Sequence, residues 1–194
     1  MALAVGDILT LGSWDGEPLG WRVLEISPEG DRALVITNKV VDRVCYQEPW
    51  RRYVTWADCG LRRWLNDEFY SAAFDDADKR RILLTDVENA DNPEYGTPGG
   101  ESTRDRLFCL SIDEVRRYFE DSREDRRAEA TTMAWRNGIF IWSHGGGSDW
   151  WLRSPGYRED MAACVDYVGN LSEFGLNVHQ DSTGARPAMW VERG

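Results

Sequence analysis

Two adjacent tryptophans, Trp150 and Trp151, limit what this chain can fold into. They open the stretch WWLRSPG, which follows the glycine run SHGGGSD and has the pattern of a short strand. Neighbouring residues of a strand point to opposite faces of its sheet. Both indoles can therefore be buried only if the strand is covered on both faces. We expect instead that Trp151 lies at least partly outward, where an indole can stack on a sugar, a peptide or a base.

Tryptophan is frequent along the whole chain, with ten in 194 residues, where roughly one or two per hundred is ordinary. Trp64 falls on the apolar face of a predicted helix, and Trp21 and Trp190 fall in alternating strand patterns. These three are expected in the core. Trp142 differs because, like Trp151, it flanks the glycine loop, so both are assigned to the candidate ligand-binding surface.

The first half of the chain changes from a strand period to a helical period. Residues 5–41 alternate between apolar and polar and are interrupted by Gly and Pro, which predicts antiparallel strands joined by turns. In the segment 55–74 the apolar residues recur at helical spacing, and Thr55 with Asp58 has capping-box spacing. The sequence therefore predicts a hairpin or meander followed by a helix.

A second helix is predicted after a long loop. The loop, residues 88–105, is dense in Asn, Pro and Gly. Ser111 and Glu114 have capping-box spacing at the start of the helix. The apolar stripe of this helix consists of Ile112, Val115, Tyr118 and Phe119.

The C-terminal half predicts short strands and loops, with strands in the segments GIFIW, WWLRSP, AACVDYVG, LNVHQD and ARPAMWV. Since strands and helices are segregated along the chain, the pattern favours an α+β fold over a parallel βαβ sheet. Neither a repeat nor a linker composition interrupts residues 1–194, so a single domain is expected.

Composition restricts the partners of the chain. Hydrophobic residues make up 42% and charged residues 29% of the sequence, which is typical of a globular protein. A net charge of -11 argues against non-specific nucleic-acid binding, which needs Lys and Arg to neutralise phosphates. No apolar run approaches the roughly 18 residues that cross a bilayer, and the pattern of a signal peptide is missing. A cytoplasmic protein without membrane insertion is therefore expected.

Candidates for catalysis are few. The chain has two histidines, His144 and His179, and four widely spaced cysteines that are expected to be mostly buried, reduced thiols. The HGGG run at His144 is similar to an oxyanion-hole loop, but the sequence lacks the nucleophile motif G-x-S-x-G. A hydrolase-like enzyme that uses Cys164 or His144 with an acidic partner stays open as an alternative.

Metal binding has little support in the sequence. No Cys and His cluster has the short spacing of a zinc site. The loop 88–105 supplies oxygen donors that calcium prefers, but their spacing matches no EF-hand, and Asn and Asp in turns commonly bond to their own backbone. We expect no cofactor, with calcium as the open alternative.

Four segments carry a resemblance to a known family. They are TWADCGLRRWLNDEFYSAAF, STRDRLFCLSIDEV, WWLRSPG and ARPAMWV. In this order they resemble a bacterial domain family of unknown function with the motifs W-W-L-R-S-P-G and R-P-A-x-W. That family is similar in turn to the C-type lectin-like fold, in the group that includes the formylglycine-generating-enzyme-like domains.

The resemblance implies a C-type lectin-like α+β domain with two helices, a small twisted antiparallel sheet and a long irregular C-terminal loop region. It also implies that the strand GDILTLG pairs with RPAMWVE at the other end of the chain. Proteins of this fold bind glycans through calcium or proteins through variable loops. The sequence lacks the paired cysteines of the oxidases and the calcium-binding tripeptides of the lectins, so neither activity is carried over.

We therefore expect a non-enzymatic recognition module that binds a protein or a glycan through its C-terminal loops. The candidate binding residues are Trp142, Trp151, Arg153, Tyr157 and Asn170. The aromatic side chains would anchor the ligand, and Arg153 and Asn170 would orient it. A Trp151→Ala substitution should then leave the thermal midpoint nearly unchanged. The alternatives are an internal salt bridge for Arg153 and, for the whole chain, a scaffold or assembly subunit of unknown oligomeric state.

Overall fold

The computed structural model describes residues 3–120 and 122–193. The strands are β1 (Ile8–Trp14), β2 (Glu17–Ile26), β3 (Arg32–Thr37), β4 (Asp42–Arg43), β5 (Thr85–Val87), β6 (Thr103–Asp105), β7 (Trp150–Pro155), β8 (Met161–Val165), β9 (Leu171–Asn177), β10 (Gly184–Ala185) and β11 (Ala188–Glu192). The helices are α1 (residues 60–73, with a π-helical turn at Leu65–Phe69), α2 (Asp76–Arg81), α3 (Ile112–Phe119), α4 (Arg123–Arg126) and α5 (Thr132–Arg136). Together they form a mixed α+β architecture.

The first sheet has the strand order β1-β2-β3-β11, with every neighbouring pair antiparallel. The predicted meander is thereby confirmed. Asp15 and Gly16 form the turn between β1 and β2, and both have positive φ, as a two-residue hairpin of this twist requires. The expected pairing of GDILTLG with RPAMWVE is wrong, because the last strand pairs with β3 instead. Arg186, just before β11, donates to the Thr37 carbonyl at the end of β3 at 2.9 Å.

The second sheet has the order β4-β10-β7-β8-β9, in which β7, β8 and β9 are antiparallel and the short β10 runs parallel to β7. Every residue of β7 is buried, because the strand lies inside the sheet and is covered on both faces. Trp150 and Trp151 each have 0% exposure. The expectation that one of the two indoles lies outward is therefore wrong.

The predicted helix at 55–74 is confirmed with one change at its start. Residues Trp56–Asp58 form a 3-10 turn, and the Asp58 carboxylate accepts the Thr55 N–H at 2.9 Å, as the capping-box spacing predicts. Helix α1 then begins separately at Gly60, where the Cys59 thiol accepts the Arg62 N–H at 3.3 Å.

The second predicted helix is confirmed as α3. The Ser111 hydroxyl accepts the Glu114 N–H at 3.1 Å, and the Glu114 carboxylate accepts the Ser111 N–H at 2.8 Å. Ile112, Val115 and Phe119 are buried, and Tyr118 is partly buried. The apolar residues of α3 therefore lie on one face of the helix, and this face packs against the core.

The C-terminal half contains more regular structure than the resemblance implies. Strands β7 to β11 occupy more than half of residues 150–192, so this part of the chain is not one long irregular region. The segment GIFIW forms no strand, and residues just before it form the short helix α5, which the sequence did not predict. The segment LNVHQD is strand only at its first two residues, which end β9.

The buried apolar side chains form one continuous cluster that includes residues of both larger sheets, α1 and α3. The four cysteines are free thiols, and three of them are buried, as expected for small hydrophobic side chains. Among the residues that the structure describes, no helix combines the length and the apolar character needed to span a membrane.

Candidate functional site

The motif WWLRSPG supports the fold rather than a surface. The Trp150 indole donates to the Arg126 carbonyl at 3.1 Å, and the Trp151 indole donates to the Val44 carbonyl at 2.8 Å. The Trp151 ring also packs against Tyr46, with 5.6 Å between ring centroids. Each indole N–H therefore has a hydrogen-bond partner inside the protein, and both rings are buried, which removes the basis for a ligand contact by Trp151.

Arg153 forms the internal salt bridge that the sequence left open. Its side chain is 6% exposed, and two of its nitrogens donate to the Glu114 carboxylate, one of them at 3.0 Å. It also donates to the carbonyls of Cys109 at 3.0 Å and Glu88 at 3.1 Å. The guanidinium thus joins β7 to α3 and to the chain between β5 and β6.

Trp142 and Asn170 belong to other parts of the surface. Trp142 is partly buried and packs against Tyr167 and His144, with centroids 5.7 and 5.8 Å apart. Asn170 donates from its side chain and its backbone to the Asp166 carboxylate, both at 2.8 Å, and thereby closes a turn. Neither residue is brought to Tyr157 by a contact that the structure describes.

Tyr157 lies in an exposed cluster of three rings, which we call the aromatic platform: Tyr95, Tyr157 and Phe174. These side chains are 41%, 49% and 50% exposed. Tyr157 and Phe174 stack with 5.1 Å between centroids and 8° between planes. Tyr95 meets both rings edge-on, at 5.1 and 6.1 Å. Exposed aromatic rings that contact one another in this way offer a ligand a large apolar surface.

A cleft of about 640 Å³ adjoins the platform at Tyr157 and is called the aromatic cleft below. It is lined by Trp50, Arg52, Thr97, Pro98, Tyr157, Arg158, Glu159 and Asp160. These residues come from three segments: the loop after β4, the loop between β5 and β6, and the connection of β7 to β8. Its size is within the range of small-molecule sites.

A buried asparagine positions the Tyr95 side of the platform. Asn92 is 1% exposed, and its amide donates to the carbonyls of Pro155 at 2.8 Å and Glu173 at 2.9 Å. Its side-chain oxygen accepts the N–H groups of Glu94 at 2.9 Å and Tyr95 at 3.0 Å. All of these groups are backbone atoms, so one side chain fixes the loop against β7 and β9.

The connection between β7 and β8 is fixed by hydrogen bonds of the backbone N–H and the backbone carbonyl of Tyr157. The Tyr157 N–H donates to the Phe174 carbonyl at 2.9 Å, and its carbonyl accepts the Thr97 hydroxyl at 3.0 Å. Gly156 precedes Tyr157, and a Cβ atom on residue 156 would lie only 2.6 Å from the Phe174 carbonyl oxygen. The glycine that ends WWLRSPG is therefore required for the close approach that presents Tyr157.

The loop after β4 carries Trp50, which is 52% exposed, and is anchored by Gln47. The buried Gln47 side chain donates to the Pro49 carbonyl at 3.1 Å and accepts the Gly60 N–H at 2.9 Å. Farther along, the Val54 N–H donates to the Glu159 carbonyl at 3.0 Å. The wall that bears Trp50 is thus tied to the wall that bears Tyr157.

The cleft contains one ion pair and a balance of formal charges. Arg158 donates to Asp160 through two nitrogens, at 3.0 and 3.4 Å. Arg52 lies over the Tyr53 ring, with its guanidinium carbon 5.4 Å from the centroid. Counted formally, Arg52 and Arg158 balance Glu159 and Asp160, which gives the lining no net charge.

The residues of the alternative enzyme hypothesis lie elsewhere. Cys164 is 2% exposed, and burial raises the pKa of its thiol, which disfavours the reactive thiolate. His144 is exposed, with Nδ1 3.0 Å from the Ser143 hydroxyl. Neither residue contributes to the aromatic cleft among the residues that line it.

The polar loop 88–105 shows turn chemistry. The Asn89 amide donates to the Glu101 carbonyl at 2.6 Å, and the Asp91 carboxylate accepts the Gly99 N–H at 3.0 Å. Within residues 3–120 and 122–193, no three His, Cys, Asp or Glu side chains are grouped as metal ligands would be. The calcium alternative gains no support from these contacts.

Trp50, Tyr95 and Phe174 were not predicted as site residues from the sequence. Trp50 and Tyr95 stand among turn-forming and charged residues, in QEPWRRY and DNPEYGTPGG, where no periodic pattern can direct a ring to a core. An aromatic residue among turn-forming and charged residues is therefore a sequence signal for an exposed ring. Phe174 lies in a strand whose pattern does not show which face is covered, so it could not be recognised in this way.

The protein thus has an α+β architecture with an exposed aromatic cleft. The chain matches the family described as Domain of unknown function (DUF6273) over residues 30–193, and it belongs to that family. The expectation of a domain family of unknown function is confirmed at this level. The match includes every residue that lines the cleft. No curated protein and no solved structure matches the chain.

Proposed function

We propose that the protein is a recognition module that binds a protein or glycan ligand in the aromatic cleft. The observation that carries this proposal is that the loops which carry half-exposed aromatic side chains are held in place by buried polar groups and backbone hydrogen bonds. Asn92, Gln47 and the backbone bonds of Tyr157 fix the loops before any ligand arrives. A preorganised surface binds more tightly because little conformational freedom remains to be lost.

The proposal is one of binding rather than catalysis. The cleft contains an arginine and a carboxylate, Arg158 and Asp160, that are already bonded to each other. Such a pair orients a ligand, whereas an acid or base in catalysis needs a free proton-transfer partner. Of the five residues expected from sequence, only Tyr157 lies in the cleft. The other four do not: Trp151 and Arg153 are buried, and Trp142 and Asn170 contact other groups.

We also propose that the fold is C-type lectin-like and forms a single domain. The return of the last strand to the N-terminal sheet supports this proposal, as does the second sheet in the C-terminal half. The pairing of β11 with β3 rather than β1 departs from the arrangement that the resemblance implies. An experimental structure that superposes on a C-type lectin domain over both sheets would support it, and a different strand order would refute it.

The functional proposal is tested by selection on two ligand classes. The full chain is applied to a glycan array and to a phage-displayed peptide library, beside the double variant Trp50→Ala/Tyr157→Ala. We expect selected ligands to bind the wild type and to be lost in the double variant. The matched control is Trp135→Ala, which removes another exposed tryptophan, on α5. Ligands that bind the double variant as well as the wild type would contradict the proposal.

A further inference from the structure

We infer that the ligand of the aromatic cleft is a neutral oligosaccharide, an inference that rests on the proposed function. A sugar ring presents a C–H face that packs on aromatic rings and a rim of hydroxyl groups. Each hydroxyl both donates and accepts hydrogen bonds. A sugar site therefore needs aromatic faces placed beside neighbouring donors and acceptors.

The aromatic part of this requirement is met by Trp50 and Tyr157, one on each of two walls that are bonded together. Tyr157 is further supported by its stacked contact with Phe174. Both side chains are about half exposed. A ring that is supported on one face and open on the other can pack on a sugar without first being reorganised.

The polar part is met by Arg158 and Asp160. Their side chains are 59% and 17% exposed, and two hydrogen bonds join them. The guanidinium keeps further N–H groups, and the carboxylate keeps further lone pairs. Two adjacent hydroxyls of one sugar can therefore accept from Arg158 and donate to Asp160 at the same time.

The charge of the cleft favours a neutral sugar over the other ligand classes. Four of the eight lining residues are charged, two of each sign, so the formal charges cancel. An acidic sugar would need excess positive charge. A proline-rich peptide is recognised mainly by apolar, aromatic-lined grooves, whereas half of the residues that line this cleft are charged.

The test is an NMR titration of the 15N-labelled full chain with cellotetraose, xylotetraose, maltotetraose, mannotriose and chitotriose. We expect at least one of these to shift the Trp50 indole N–H signal and the amide signals of residues 157–160 in a saturable way. Tyr157→Ala and Arg158→Ala should each raise the Kd about tenfold or more, which corresponds to loss of one good contact. The matched control Arg104→Ala breaks the exposed Arg104–Asp86 pair, 3.3 Å long, and should leave the Kd unchanged.

The possible negative results distinguish a failure of this inference from a failure of the proposed function. If none of these sugars binds, but displayed peptides or trigalacturonate bind in a manner that requires Trp50 and Tyr157, the neutral-glycan inference is wrong and the recognition proposal stands. If neither sugars nor peptides bind at the cleft, both are wrong. A sugar that binds Arg158→Ala and Tyr157→Ala as tightly as the wild type also overturns the inference.

Discussion

Individual residues show that aromatic content alone does not identify a binding surface. Trp151 and Tyr157 are separated by only six positions, yet one is fully buried and the other is half exposed. The difference arises because Trp151 lies in a central strand, whereas Tyr157 follows the glycine at which that strand turns. Solvent exposure is set by the partners that cover a strand, which a single sequence does not display.

Trp151→Ala should therefore destabilise the protein. Removal of a buried tryptophan leaves a cavity and an unpaired Val44 carbonyl, with an expected loss of about 3–5 kcal/mol. Tyr157→Ala, at an exposed position, should cost under about 1 kcal/mol. Urea denaturation of both variants measures the difference, and similar midpoints would contradict the burial of Trp151. The expectation from sequence that Trp151→Ala preserves the thermal midpoint is reversed by this burial.

Asp149 gives a pH dependence with a defined sign. Burial raises the pKa of this carboxyl from its ordinary 3.8 to about 6, with a smaller contribution from Asp166, and the Tyr167 N–H opposes the rise. Between those two pH values the folded state binds more protons than the unfolded state, so the contribution of Asp149 to stability falls as pH rises. The loss continues through the folded-state pKa of about 6 and levels off about one pH unit above it.

Asp149→Asn should consequently gain stability relative to the wild type as pH rises from 4 to about 7. The amide oxygen of the asparagine can still accept the Tyr167 N–H, which bonds Asp149 at 2.7 Å. Thermal unfolding across this pH range measures the effect, with the exposed Asp181→Asn as control. A stability difference that stays constant with pH would show that Asp149 has an ordinary pKa.

At the scale of elements, short sequence motifs correctly predicted the structures that are formed by contacts between neighbouring residues. The capping boxes at Thr55 and Ser111 and the turn at Asp15 and Gly16 each depend on residues within a few positions of one another. The platform depends on Asn92, whose partners at Pro155 and Glu173 lie 63 and 81 residues away. Pairings at that separation are set by the assembled sheets, and of the residues of the cleft and the platform only Tyr157 was predicted from the sequence.

Asn92→Ala should release the loop that carries Tyr95. The substitution leaves the buried backbone groups that it bonded without these partners, at a cost of about 1–3 kcal/mol. Hydrogen exchange at the Tyr95 amide should accelerate more than exchange at β7. Asn177→Ala is the control, because the Asn177 side chain accepts a single 3.3 Å bond from the His179 N–H. Unchanged exchange at Tyr95 would mean that other contacts hold the platform.

At the scale of the whole molecule, Arg186 connects the two larger sheets. It is 2% exposed, donates to Thr37 at the end of β3 and to Arg126, and lies 4.8 Å from the centroid of the Trp150 ring. Burial lowers the pKa of its guanidinium to about 9. The α+β class, the N-terminal meander and the helices α1 and α3 followed from sequence periodicity, but this connection, and the pairing of β11 with β3, did not.

Arg186→Lys should weaken both sheets together. An ammonium group cannot keep the two directed bonds and the stacked position of a guanidinium, and loss of a charged hydrogen bond costs about 1.5–3 kcal/mol. Far-UV circular dichroism and tryptophan fluorescence should report one lowered, coincident urea midpoint. Two separate transitions would show that the sheets unfold independently.

The central claim is that the aromatic cleft binds the ligand, and the most direct measurement is the Kd of one selected ligand for the wild type and for Tyr157→Ala. Both proteins should unfold at nearly the same urea concentration, because Tyr157 is exposed. The account predicts a Kd about tenfold or more higher for Tyr157→Ala and an unchanged Kd for Trp135→Ala. An equal Kd for Tyr157→Ala and the wild type would contradict it.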